Sequence, residues 1–156
     1  MDLPIKTSWW FIMIPLFLFA SNSANGCTCD LPPLDKSAKQ QVIEARHKAK
    51  AVLMGRVLNV DSPDELFYRK VTVEVYSAWK GSRTEKITIF TGRGGNCGYT
   101  FEVGATYLIY AYQYNGSSLG TNICQRTKKV DDASVDLRYL GKPEFKARVH
   151  NSRLSA

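Results

Sequence analysis

The residues best placed to do chemistry in this chain are its four cysteines, Cys27, Cys29, Cys97 and Cys124. Thiolates ligate metals or cross-link. Structural zinc sites draw on close Cys-x2–4-Cys pairs, and Cys27-Thr28-Cys29 is too tight for one. Cross-linking is the expected use, with three connectivities open to four cysteines. A Cys27–Cys29 bridge is discarded, because alpha carbons two apart in an extended segment are separated by about 6.5–7 Å, at or beyond the usual disulfide limit. Either remaining connectivity staples Cys27-Thr28-Cys29 to two distant parts of the chain. The loops closed hold about 70 to 100 residues, each bridge contributing about 4 kcal/mol through the unfolded state. A chain end normally frays. A chain beginning at Cys27 would instead hold a rigid α-amine beside a rigid carbonyl. An α-amine, with a reference pKa of about 7.7–8.0, sheds its proton near neutral pH and becomes a nitrogen ligand.

Other chemistries are poorly supplied. The histidines are His47 and His150 alone, too few for a His-rich metal site and a weak basis for a Ser-His-Asp arrangement. Gly92-Arg93-Gly94-Gly95 lacks the Lys-Ser/Thr and the helix of a phosphate loop, and reads as a flexible turn. Asp131-Asp132 are neighbours that do not face each other on a helix, and read as caps. Tyr107, Tyr110, Tyr112 and Tyr114 could stack on bases, but strand tyrosines read first as barrel core and rim. No nucleophile–base constellation stands out, so no enzyme activity is expected, and neither is a nucleic-acid partner.

Residues 1–26 read as an export signal. Lys6 precedes an apolar run from Trp9 to Ala20, shorter than the roughly 20 residues of a transmembrane helix. Polar Ser21-Asn22-Ser23 follows, then the small-x-small site Ala24-Asn25-Gly26. Cleavage there makes Cys27 the first residue, in a secreted, extracellular or periplasmic protein without a membrane span, where disulfides persist. With 156 residues, 44% hydrophobic and 22% charged, the chain has material for one packed domain and is not disordered throughout. Lys plus Arg is 21 against 14 Asp plus Glu, a formal +7, which favours anionic partners such as polysaccharide or cell envelope.

The elements that must position the cysteines follow from periodicity. After the stiff Leu31-Pro32-Pro33-Leu34 comes a helix over Lys36–Lys50, with Ala38, Val42, Ala45 and Ala49 in one stripe and His47 on the solvated side. Strands are predicted at 51–58, 67–79, 87–91, 107–112 and 119–124, the first two joined by Asp61-Ser62-Pro63-Asp64. Tyr107–Tyr112 is apolar on both faces, hence central. A second helix spans Asp131–Leu140, lined by Ala133, Leu137 and Leu140 and stopped by Gly141 and Pro143. A basic, mobile tail covers Lys142–Ala156. Five strands with flanking helices predict a mainly β fold, a five-stranded OB-type barrel.

An export signal ending immediately before Cys27-Thr28-Cys29, the later Cys97-Gly98 and a strand-rich body ending in Asn122-Ile123-Cys124 resemble the tissue inhibitors of metalloproteinases. The similarity spans residues 27–124, the extent of that family's netrin-like domain. It implies a netrin-like inhibitor domain at 27–124, with the helix at 125–141 packed on it and 142–156 as the tail. It further implies the pairing Cys27–Cys97 and Cys29–Cys124, and a zinc metalloproteinase as partner. The Cys27 amine and carbonyl would bind the partner's catalytic zinc, the protein having no cofactor of its own. Thr28 would enter the pocket beside that zinc. Cys29, Asp30 and Leu31 would run along the cleft, flanked by Asn96, Cys97 and Gly98. The third bridge of the animal inhibitors has no counterpart here, and Gly95-Asn96 stands where they carry bulkier residues. A second expectation, from the charge alone, is an extracellular module that binds anionic polysaccharide or cell envelope.

Overall fold

The computed structural model describes residues 26–29, 35–61, 68–93 and 97–147. Residues 1–25 of the export signal, the Pro32-Pro33 connection, Asp30, Leu31, Asn96 and the end of the tail lie outside these residues.

Helix α1 runs Ala38–Lys48 and opens on a capping box, in which Ser37 Oγ accepts from the Gln40 amide while Gln40 Oε1 accepts from the Ser37 amide. Its basic last turn, Arg46-His47-Lys48, suits the negative end of the helix dipole. Only Val42 of the predicted stripe is fully buried within the helix, with Ala49 buried just beyond it. His47 is exposed, as expected.

Among the described residues seven strands follow: β1 Ala51–Asp61, β2 Tyr68–Lys80, β3 Lys86–Gly92, β4 Thr106–Asn115, β5 Ser118–Thr121, β6 Lys128–Lys129 and β7 Phe145–Lys146. The first five close a barrel in the order β1-β2-β3-β5-β4, and β4 pairs back onto β1. All pairings are antiparallel except β3 with β5. This is the five-stranded OB-type barrel with flanking helices that the strand pattern predicts. The long strand β1 bends to meet two partners. Register shifts against β2 at Val52/Leu53, Met54/Gly55 and Val57/Asn59 supply the bend. Gly55 permits the close approach, since a Cβ there would lie 2.3 Å from the Glu74 carbonyl oxygen.

Alternation sorts the side chains into two cores. Leu53, Val57, Val71, Val73, Val75, Ile89, Tyr107 and Ile109 fill the barrel. Val52, Leu108 and Tyr110 point outward from β1 and β4, beneath α1 and helix α2 (Ser134–Leu140). Strand β4 is thus buried on both faces, as its sequence indicates. Ala133 and Leu140 are buried and Leu137 packs against the same cluster, as predicted for the second helix.

The structure departs from the sequence reading in three places. Strand β5 ends at Thr121 rather than Cys124, because Asn122 Oδ1 accepts from the Cys124 amide at 3.0 Å and turns the chain. Asp131 and Asp132 do not cap α2; they sit exposed in a 3-10 turn, Val130–Asp132, with no side-chain cap bond. The start of the basic tail is docked rather than mobile. Strand β7 pairs with β2, Phe145 packs on the barrel core, and Glu144 accepts a 2.7 Å hydrogen bond from Arg46.

One helix residue has a role that periodicity does not show. Asp136 is 1% exposed and accepts from Arg126 at 2.9 and 3.1 Å, Lys128 at 3.0 Å and the Tyr110 hydroxyl at 2.9 Å. Burial opposes its ionisation, but these hydrogen bonds outweigh it and hold the carboxyl below its usual range. Burial and the facing Asp136 charge push the Tyr110 phenol well up. The cluster ties α2 to β4 and β6.

Candidate functional site at the bridged end of the barrel

Strands β3 and β5 are parallel neighbours, so they leave the barrel at the same end. Cys97 follows β3 and Cys124 follows β5, which brings two cysteines far apart in sequence to one rim. The two loops are joined directly: the Ile123 amide donates to the Cys97 carbonyl at 3.0 Å. Cys27 is bridged to Cys97 with alpha carbons 5.5 Å apart, and Cys29 to Cys124 at 5.1 Å. This is the pairing that the resemblance implies, and no cysteine is free. Two disulfides fit an oxidising, extracellular-type compartment. Among the described residues no helix is long and apolar enough to cross a membrane.

The short segment they hold has alternating exposure. Cys27 and Cys29 are half-buried against the barrel rim, while Gly26 and Thr28 are exposed. The two bridged side chains turn to the barrel, and Thr28 between them is left to solvent.

The mount beneath this segment is stiff. Cys97 has φ 57°, a left-handed conformation uncommon for a non-glycine residue, which reverses the chain. Gly98 then lies against β3 so closely that a Cβ on it would come within 1.6 Å of the Gly92 carbonyl oxygen. Next, the Tyr99 amide donates to Thr91 Oγ1 at 2.7 Å, and that hydroxyl donates to the Tyr99 carbonyl at 3.2 Å. Tyr99, Phe101 and Tyr107 then plug the barrel mouth, with ring centroids 4.8 to 5.9 Å apart. Burial and the neighbouring Tyr107 push the Tyr99 phenol up, so it stays neutral at working pH. Lys129 Nζ donates to both Glu102 carboxylate oxygens at 2.8 Å and pins the following loop to β6.

Of the residues singled out from sequence, Cys27, Thr28, Cys29, Cys97 and Gly98 lie together at this rim. Asp30, Leu31 and Asn96 fall outside the described residues. Two exposed apolar residues at the same end were not anticipated. Ile123 is 49% exposed between the Asn122 turn and Cys124, and Val103 is 64% exposed in the loop entering β4. An isolated exposed valine or isoleucine carries no sequence signal; only the topology puts both at the end of the barrel that carries the bridges. Arg69, at an inward-facing position of β2 near this rim, has its Nε buried without a hydrogen-bond partner among the described residues. Among the described residues no group of three or more His, Cys, Asp or Glu is placed to hold a metal ion.

What the arrangement can do is present a short, doubly bridged segment with one exposed side chain at the barrel rim. No family model matches this chain, and no curated protein matches it.

Proposed function

We propose that this protein is a secreted inhibitor of zinc metalloendopeptidases that acts through its bridged rim, once residues up to Gly26 have been removed. The observation that carries the reading is Thr28, held outward between two cysteines that are each bridged to the barrel. Cleavage before Cys27 would create an α-amine on the bridged residue itself. That amine, unprotonated, and the Cys27 carbonyl oxygen are two ligands at a fixed spacing. A catalytic zinc keeps one position open for the water that it activates. The two protein ligands together would displace that water, the zinc taking on a fifth ligand, and so stop hydrolysis. Thr28 is then aimed into the pocket beside the metal, and exposed Ile123 and Val103 at the same end offer further apolar contact area.

The bridges matter energetically because association costs ordering entropy, about 0.5–1.5 kcal/mol for each side chain immobilised, and loop ordering besides. A segment already extended and tied at both of its cysteines has little left to lose. The same stiffness keeps the bond after Cys27 from relaxing in the cleft, so the segment sits like a product rather than being turned over.

The test compares three purified forms against a panel of zinc endopeptidases. The chain beginning at Cys27 is expected to inhibit at least one of them. A form carrying one additional N-terminal alanine is expected to lose inhibition by about 100-fold or more, since the amine is displaced from the metal. Thr28→Gly is expected to weaken inhibition with an unchanged melting temperature. Equal inhibition by the first two forms would rule out chelation by the amine.

A further inference from the structure

The opposite end of the barrel carries a cleft that the bridged rim does not use. Strands β3 and β5 pair only across Ile89–Thr91 and Leu119–Thr121. Toward the start of both strands the ladder stops and the wall opens. The opening is a cavity of about 440 Å³, within the range of about 300–1,000 Å³ usual for ligand sites. Its floor is apolar, from Phe90 and Leu119; Thr88 and Ser118 bring hydroxyls, and Lys50 and Arg83 bring charge.

Among the described residues no carboxylate lines the cleft. Lys50 and Arg83 form no ion pair with a carboxylate among the described residues, as is also true of Lys39, Lys86 and Arg138; what sets them apart is that they share one concave site. Two unpaired cations in a concave site focus an attractive field on anions.

The cleft also continues onto an aromatic surface. Phe90 is stacked on Tyr114 at 5.2 Å, and Tyr114 meets Tyr68 edge-on at 5.1 Å. Lys70 Nζ stands 6.0 Å from the Phe90 ring centre. Gly120, without a side chain, lets Tyr112 and Tyr114 lie over β5, where a Cβ would be 3.0 Å from both. The result is a track on the outer wall of β2, β3, β4 and β5, with cations and hydroxyls at one end and rings along it. In five-stranded barrels of this type the outer β2–β3 face and the β4–β5 turn are the places where oligosaccharides and oligonucleotides bind. Here the β4–β5 turn supplies Ser118 to the cleft.

We propose that this cleft binds an acidic oligosaccharide, its carboxylate or sulfate ester between Lys50 and Arg83, its hydroxyls on Thr88 and Ser118, and the C–H face of a sugar against the apolar floor of Phe90 and Leu119. Sugars suit the site because they combine dense hydroxyls with apolar C–H faces, as the lining does. The cleft and the bridged rim lie at opposite ends of the barrel, so the protein can hold a polysaccharide and a protein partner at once, and the two readings stand or fall separately.

Calorimetry at 0.15 M salt with the chain starting at Cys27 tests this. The probes are a heparin hexasaccharide, an oligogalacturonate of equal length, neutral maltohexaose and a single-stranded oligonucleotide. Binding of either acidic sugar, with maltohexaose at least 10-fold weaker, is expected, and which of the two binds tells sulfate from carboxylate recognition. Lys50→Gln/Arg83→Gln, two surface changes that leave the core intact, is expected to weaken binding at least 10-fold; Lys142→Gln/Lys146→Gln is expected to change it less than 2-fold. Amide shifts on titration should centre on Thr88, Phe90 and Ser118. No binding of either acidic sugar, equal binding by Lys50→Gln/Arg83→Gln, shifts centred on residues 142–147, or tighter binding of the oligonucleotide would each overturn the proposal.

Discussion

Removing one bridge should cost less than its sequence span suggests, because the two bridges share a loop. Taken alone, the Cys29–Cys124 bridge spans 95 residues and Cys27–Cys97 spans 70. Either by itself closes a loop worth about 4.5 kcal/mol of unfolded-state entropy. Once Cys27–Cys97 exists, however, the shortest covalent path from Cys29 to Cys124 runs back to Cys27, across that bridge and on from Cys97. That path is a loop of about 30 residues, for which the same relation gives about 3.6 kcal/mol. By symmetry the Cys27–Cys97 bridge adds the same amount to a chain already holding Cys29–Cys124. Cys29→Ala/Cys124→Ala and Cys27→Ala/Cys97→Ala should therefore destabilise equally, by about 3.6 kcal/mol, despite their different spans. Losing both costs about 8 kcal/mol, roughly 1 kcal/mol more than the two single losses added together. Urea unfolding followed by tryptophan fluorescence measures this, with a midpoint shift of about 2 M for each single loss if the slope is about 2 kcal/mol/M. Inhibition assayed in parallel separates stability from rigidity. The Cys29→Ala/Cys124→Ala form should remain folded below its midpoint and still lose inhibition, because Thr28 is no longer held from its C-terminal side. Costs that differ by more than 1 kcal/mol, or a loss under 1 kcal/mol for either bridge, would refute the shared-loop reasoning.

Two further outcomes follow from the packing. Asp136→Asn should destabilise by about 3 kcal/mol, since it leaves Arg126 and Lys128 without their buried counter-charge while both, about a quarter exposed, can still reach water. The folded carboxyl is depressed, so its contribution is present above the unfolded value of about 3.9 and is lost as pH falls through the lower folded value. The gap between wild type and Asp136→Asn in urea midpoint should be constant from pH 5 to 8 and close below about pH 4; a gap that widens on acidification would contradict it. Gly98→Ala should destabilise by at least about 2 kcal/mol and disturb the bridged rim, because its Cβ would collide with rigid backbone at Gly92; an unchanged melting temperature would show that the loop can move away freely.

What could be read without coordinates was what depends on near neighbours. Period-two alternation in 71–76 and the doubly apolar run at 107–112 marked strands, because each residue's face follows from its parity. Cys27-Thr28-Cys29 revealed a doubly tethered segment because spacing alone forbids the short bridge. Which distant cysteine each would meet was not in the spacing, since both connectivities close loops of similar length. The tertiary structure decided that by setting β3 and β5 side by side and parallel, so that Cys97 and Cys124 share a rim. The same pairing, stopping after three residues, opened the cleft at the other end. Asp136 read as an ordinary helix residue, yet it is the buried anion that locks α2 to the barrel, because its three donors come from β4, β6 and the turn between β5 and β6. Glu144 and Phe145 read as a loose tail until Arg46 and the end of β2 were found beside them. Local sequence governs which way a side chain faces; whom it faces depends on chain segments tens of residues away, and that is settled only when the barrel closes.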